Sequence, residues 1–313
     1  MRRHTYRFLV LFLILGAFLG CNSGGNGQMQ LTITDAPVDN ATSVVVDIVS
    51  VQAIPVNGNP VNYNFPQPQQ IDLLQLQQGL STQLIGNWIL PTGQYKGLVL
   101  TISANGSGTD SYIVLNDGSQ HALVTPTTTC GLVPCIQLVA YLNIDTPFSI
   151  NNSSAGAYII DFDARKSVLP PAVGSTAYQL FPIGRMVNVV NAGNVIGVVP
   201  NPLITPGCTP VVYVYVYGGA NNTPTNIDDK TDIDDYAPAA NQPVTESAVQ
   251  FDNTTGEYAF TAAYLNQGEY TLAFTCQAAQ DNPATADNIA FTFSGSVSVI
   301  SQQTVRTVLN NTP

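Results

Sequence analysis

Charge is scarce in this chain: Lys, Arg, Asp and Glu make up 9% of its 313 residues, against about a quarter in an average soluble protein. Cations are the scarcer sign, nine against twenty acids, for a net charge of −11. That balance excludes the basic patches through which proteins hold nucleic acid or anionic lipid. Histidine is nearly absent. Only His4 and His121 occur, so a histidine-assisted nucleophile has a single candidate outside the first few residues. His121 sits in Asn116-Asp-Gly-Ser-Gln-His121, a pattern expected of an exposed hairpin. No Gly-x-Ser-x-Gly elbow, phosphate loop or zinc-helix motif accompanies it. The expectation is therefore a protein without catalytic residues. An alternative is a hydrolase of envelope polysaccharide, which needs only two carboxylates.

Long apolar runs are also missing. The longest, Phe8 to Gly20, has 13 residues, where a membrane span needs about 20. With Arg2, Arg3 and Arg7 before it and Cys21 after it, the run has the form of an export signal. Phe18-Leu-Gly-Cys21 resembles the end of bacterial lipoprotein signals. The resemblance implies removal of residues 1–20, diacylglycerol on the Cys21 sulfur and a further acyl chain, such as palmitate, on its amine. Two or more such chains anchor stably, at about 0.8 kcal/mol per buried methylene. Asn22 resembles the choice that sends enteric lipoproteins to the outer membrane. Removing the signal leaves six cations against twenty acids, a formal charge of −14. The expected membrane contact is therefore through the lipid.

Besides Cys21 there are four cysteines, Cys130, Cys135, Cys208 and Cys276. An even number in an exported chain reads as disulfides. Of the three possible pairings the expected one joins Cys130 to Cys135 and Cys208 to Cys276. A four-cysteine zinc site would require two close pairs, and only one pair is close.

Val, Ile, Tyr, Phe and Thr abound and uninterrupted helix formers do not, which favours strands. Residues 21–28 read as a flexible tether rich in Asn, Ser and Gly. Strands are expected at Met29–Thr34, Ser43–Ile54, Tyr95–Ser103, Ser111–Leu115, Gln137–Asn143, Ala157–Asp163 and Gln179–Val190. Ile71–Leu90 is the most helix-like stretch, but Gly79 and Gly86 break it, so short turns of helix at most are expected there, with Trp88, the only tryptophan, in the core. The pattern pauses over Asn191–Ile204, which places a boundary near residue 192. Further strands are expected at Val211–Tyr217, Ala248–Phe251, Tyr258–Tyr264, Tyr270–Cys276, Ile289–Ser294 and Ser296–Leu309, the last divided near Ser301. The fold class is thus all-β, with an immunoglobulin-like or prealbumin-like β-sandwich over 29–191 and a second over 192–313. An internal echo supports the division: Leu90-Pro-Thr-Gly-Gln-Tyr95 resembles Leu265-Asn-Gln-Gly-Glu-Tyr270, each a tight connection followed by a packed tyrosine.

Three polar or aromatic constellations are candidate sites. Alternation places Asp161, Asp163 and Arg165 on one face of a strand. With Asp35 nearby they form either a calcium site or, as the adjacent cations favour, a network in which Arg165 or Lys166 neutralises the aspartates. A second acidic cluster, Asp228, Asp229, Asp232 and Asp234, lies in a long loop and lacks the glycine and glutamate of an EF-hand. It is an irregular Ca2+ site or a solvated loop. Tyr213, Tyr215 and Tyr217 share one strand face, as core or as an exposed binding surface.

Thr34-Asp-Ala-Pro37, Val44-Val-Val46, Ile71-Asp-Leu-Leu74, Leu90-Pro-Thr-Gly-Gln-Tyr95 and Asp161-Phe-Asp-Ala-Arg-Lys-Ser167 together resemble the bacterial lipoproteins of domain of unknown function 4382, over roughly residues 29 to 190. That implies an extracytoplasmic β-domain with no assigned reaction. The second half is similar to transthyretin-like and carboxypeptidase-regulatory-like accessory sandwiches. The expected function is a lipid-anchored binding or structural module of the cell envelope. Its expected partner besides the membrane is an envelope glycan or another surface protein, and a calcium-dependent adhesion role is a further alternative.

Overall fold

The computed structural model describes residues 25–35, 40–125, 139–144, 146–152, 155–216, 243–282 and 289–309. Among the described residues the first half shows thirteen strands: β1 (Asn26–Asp35), β2 (Ala41–Pro55), β3 (Val61–Asp72), β4 (Thr82–Pro91), β5 (Gly93–Ser103), β6 (Tyr112–Leu115), β7 (Gln120–Val124), β8 (Val139–Ile144), β9 (Phe148–Ile150), β10 (Ala155–Phe162), β11 (Val168–Leu169), β12 (Tyr178–Leu180) and β13 (Gly184–Asn188). They form a four-stranded sheet, β13-β10-β1-β4, facing a larger one built along β11-β12-β7-β6-β2-β5-β8, with β3 and β9 as side branches. Alternation builds the core. In β1 Met29, Leu31 and Ile33 are fully buried while Gln28 and Gln30 face water. Leu100, Ile102, Trp88 and Phe162 meet them in one cluster.

The second half contains β14 (Ala192–Val199), β15 (Val211–Val216), β16 (Thr245–Ala248), β17 (Gln250–Asp252), β18 (Glu257–Asn266), β19 (Gly268–Thr275), β20 (Phe291–Val299) and β21 (Thr304–Val308). Two four-stranded sheets, β17-β18-β14-β21 and β16-β15-β19-β20, enclose a second cluster around Val195, Phe260, Leu272 and Phe274. The protein is thus all-β, a pair of β-sandwiches. Cys208 is bonded to Cys276, with Cα atoms 4.5 Å apart. Closing a loop of that length contributes about 4 kcal/mol by restricting the unfolded chain.

The echoed hexapeptides do the same job in both sandwiches. The Tyr95 hydroxyl donates to the Pro91 carbonyl at 2.7 Å and Tyr270 to that of Asn266 at 2.8 Å. Each tyrosine folds back four residues to lock a strand-to-strand corner.

Several expectations require correction. The helix-like stretch yields the short turn expected of it, the 3-10 turn Leu73–Leu76, but continues as a strand that was not expected, β4. Here Leu84, Ile85, Trp88 and Leu90 are buried by two sheets, so burial rather than helix propensity decides. Asn26, Gly27 and Gln28, read as tether, already pair with β4. The pause after residue 191 is strand β14, whose Gly193 and Gly197 mimic a break. A Cβ on Gly197 would run into the Phe260 ring opposite it.

Candidate functional site

β10 runs parallel to β1, placing Asp161 beside Thr34 and Phe162 beside Asp35. The strand then stops, because Asp163 caps a single helical turn, α1 (Ala164–Ser167). Its Oδ1 accepts from the Lys166 N–H at 3.0 Å, and the Asp35 Oδ1 accepts from the Ala164 N–H at 3.0 Å. Two carboxylates thus hold N–H groups that a helix start leaves unpaired. Ser167 completes the turn: its hydroxyl donates to the Asp163 carbonyl at 2.5 Å and accepts from the Ile183 N–H at 2.9 Å.

The turn breaks the expected alternation. Arg165 does not share a strand face with Asp161 and Asp163. Its Nη1 instead donates to the Ala278 carbonyl of the second sandwich at 3.3 Å. Asp161 is matched by Arg185, directly across from it on β13, with Nη2 and Oδ2 2.6 Å apart. Arg185 also donates to the Tyr264 carbonyl at 2.9 Å. Lys166 lies 3.1 Å from Asp163 Oδ2 and 3.7 Å from Glu246 Oε1 of β16, and donates to the Pro243 carbonyl at 3.0 Å. The Tyr264 hydroxyl returns the link, donating to the Gly79 carbonyl at 3.0 Å. Beside Ala278, the buried Tyr213 hydroxyl donates to the Asp281 carboxylate. Three of the six Lys and Arg that follow Cys21, namely Arg165, Lys166 and Arg185, therefore meet at one junction between the sandwiches.

Burial sets the electrostatics. It raises the Asp161 carboxyl above its usual range, against the pull of Arg185, with Asp163 adding to the rise. Burial alone would lower the Lys166 ammonium, but Asp163 and Glu246 outweigh it and the net shift is upward. Burial first, then the neighbouring acids, push Tyr213 well above 10.0 despite Arg165. The space between these groups is small. One cavity of about 20 Å³ touches Asp35, Asp161, Glu246 and Tyr264, room for about one water. A second of about 110 Å³ is lined by Asp161, Asp163, Lys166 and Arg185. Ligand pockets run to about 300 Å³ or more, so the geometry is that of a joint. Among the described residues no group of three or more His, Cys, Asp or Glu is arranged to hold a metal. A divalent ion between Asp161 and Asp163 would have to displace Arg185 and Lys166.

The other candidate residues separate widely. Tyr213 and Tyr215 are fully buried, with Tyr213 edge-on to Phe291 at 5.5 Å, so of the two readings of this strand face these two tyrosines take the core one and not the exposed binding surface. Tyr217, Cys21, Cys130, Cys135, Asp228, Asp229, Asp232 and Asp234 lie outside the described residues. His121 is the second residue of β7, the return strand of the β6–β7 hairpin, its Nδ1 2.9 Å from the Thr176 carbonyl and Nε2 3.0 Å from Ser119 Oγ. Arg185, Glu246, Tyr264 and Asp281 were not foreseen. Arg185 alone carried a signal, a cation inside an apolar strand of a cation-poor chain.

A search of curated proteins finds no match. Among solved structures the chain is similar to the Bacillus anthracis TIE protein, at 12% identity and TM-score 0.20, covering 91% of this chain and 34% of that one. It is similar to a leucine-rich repeat protein from Bacteroides thetaiotaomicron, at 14% identity and TM-score 0.21, covering 90% of this chain and 26% of that one. It is also similar to a candidate adhesin from Bacteroides ovatus, at 11% identity and TM-score 0.21, covering 99% and 96%. The chain thus spans about a third and a quarter of the first two. TM-scores of this size establish no common function. The profile of domain of unknown function 4382 matches residues 26–182, from the first residue of β1 through α1 and β12. The chain belongs to the DUF4382 family, and the family's segment ends within the sandwich that carries the Asp161–Ser167 turn.

Proposed function

We propose that the protein is a lipid-anchored, non-catalytic module of the bacterial cell envelope, held by acyl chains on Cys21 and presenting its second sandwich to a glycan or another surface protein. One observation carries the non-catalytic part of this reading. Among the described residues, the charged cluster of Asp161, Asp163, Lys166, Arg185 and Glu246 is buried in joining two sandwiches, facing cavities of about 20 and 110 Å³ that are too small for a sugar ring. The basic, apolar and cysteine segments at Arg2 to Cys21 support the anchor, and Asn22 supports the outer membrane as its destination. No helix among the described residues is long and apolar enough to cross a membrane.

Two experiments test the reading. Protein lacking residues 1–21, screened on glycan arrays and against labelled envelope polysaccharide, is expected to bind saturably without turnover. Release of oligosaccharide would replace this reading with that of a hydrolase. Cys21→Ser is expected to move the chain from the membrane fraction to the soluble one. Unchanged partition would remove the anchor.

A further inference from the structure

The end of the first sandwich remote from the junction carries a groove of about 490 Å³, between the β2–β3 hairpin and the β4–β5 turn. Pro55, Val56, Val61, Pro91, Thr92 and Tyr95 form most of its wall, and none of its eleven lining residues is charged, although the chain has twenty acids. Val56 is 44% exposed on the rim. The Thr92 backbone N–H and hydroxyl donate to the Gly25 carbonyl at 2.8 and 3.0 Å. The chain preceding β1 therefore departs from the wall of this groove. Only four peptide steps separate Gly25 from Cys21, at most about 14 Å of extended chain. Lys96, exposed on β5 just past Tyr95, is the one Lys or Arg of the first sandwich outside the junction.

We propose that this uncharged, groove-bearing end rests on the bilayer holding the Cys21 acyl chains. The inference rests on the anchoring reading and adds an orientation to it. Apolar and neutral polar residues suit the headgroup boundary, where carboxylates would be repelled by an anionic leaflet, and Lys96 is attracted to lipid phosphate. Strand β1, ten residues long and so about 33 Å, then leads away from the membrane to the junction.

Full-length lipidated protein, reconstituted in phosphatidylethanolamine–phosphatidylglycerol vesicles with brominated acyl chains, tests the orientation by tryptophan quenching. Trp88 is buried and supplies a constant background. Leu80, 62% exposed and bonded through its carbonyl to Thr34 near the far end of β1, is the control position. Val56→Trp is expected to lose at least half of its added emission in brominated vesicles, and Leu80→Trp essentially none. Asn57→Trp gives the same readout should Val56→Trp fail to fold. Equal quenching at both positions, or none at either, overturns the proposal. If Val56→Trp emission follows protein concentration in lipid-free solution and ignores brominated lipid, the groove docks a second copy and the proposal falls. Intact mass of the same sample separates the two readings. Acylated protein without quenching overturns the orientation alone, while an unmodified Cys21 overturns the anchor and the orientation with it.

Discussion

At Lys166 two carboxylates and a carbonyl replace the water that burial removes. Taking away one member of such a group strands the others. Lys166→Met is therefore expected to cost about 3–5 kcal/mol, read from urea unfolding of the chain lacking residues 1–21, and a change under about 0.5 kcal/mol would show that the ammonium is not holding the joint. The same residues set an alkaline limit. The folded Lys166 ammonium titrates above 10.5, so its stabilisation is intact below 10.5 and is lost as pH climbs through the folded value. Tyr213 resists ionising in the fold while the unfolded phenol ionises near 10.0, so it also lowers stability as pH rises past 10.0. Unfolding midpoints should fall above pH 10, and less steeply in Tyr213→Phe. An identical pH profile for the two proteins would remove Tyr213 from the explanation. At this scale the aspartates were legible because they stand together in the sequence. Their partners were not, since Arg185 is brought opposite Asp161 by strand pairing and Glu246 by the approach of another sandwich. The misplacement of Arg165 has a local cause: Asp163 caps a turn, and alternation stops where the helix begins.

The repeated corners and the glycine-bearing strands belong to the scale of elements. Each tyrosine hydroxyl replaces a water hydrogen bond with one to a carbonyl four residues back, so Tyr95→Phe and Tyr270→Phe should each cost about 1 kcal/mol by urea unfolding. Values near zero for both would reduce the corners to apolar packing. The echo between Leu90–Tyr95 and Leu265–Tyr270 was visible because it depends on residues close in sequence. Strand β14 was hidden by Gly193 and Gly197, which read as a break until the neighbours are known. Gly193 lies tight against the carbonyls of Ile300 and Gln303, and Gly197 under the Phe260 ring. Gly197→Ala is expected to destabilise by about 1–3 kcal/mol through overpacking, and a neutral effect would mean that the ring can move aside. Strand β4 was masked for a different reason. Both flanks of Trp88 carry leucine and isoleucine at spacings that fit a helix as well as a strand, and the choice is made by the parallel pair of β1 and β10 against which β4 completes a sheet.

For the whole molecule, composition sufficed for the class: strand formers, frequent turn residues and scarce charge give sandwiches. It did not show that the motif Asp161–Ser167 belongs to a joint, because nothing in a linear reading says that Ala278, Glu246 and Pro243 close over it. A pair of sandwiches linked only by chain would unfold separately. Linked by Arg165, Lys166 and Arg185, with Tyr264 reaching back to Gly79, they should unfold together, and that coupling is the claim on which the reading of the site depends. Differential scanning calorimetry of the chain lacking residues 1–21 tests it directly, comparing wild type with Lys166→Met/Arg185→Leu. The expected result is one endotherm for wild type, with calorimetric and van't Hoff enthalpies equal, and two resolved endotherms for the double variant. Two endotherms already present in wild type would contradict the joint, as would a single unshifted one in the variant.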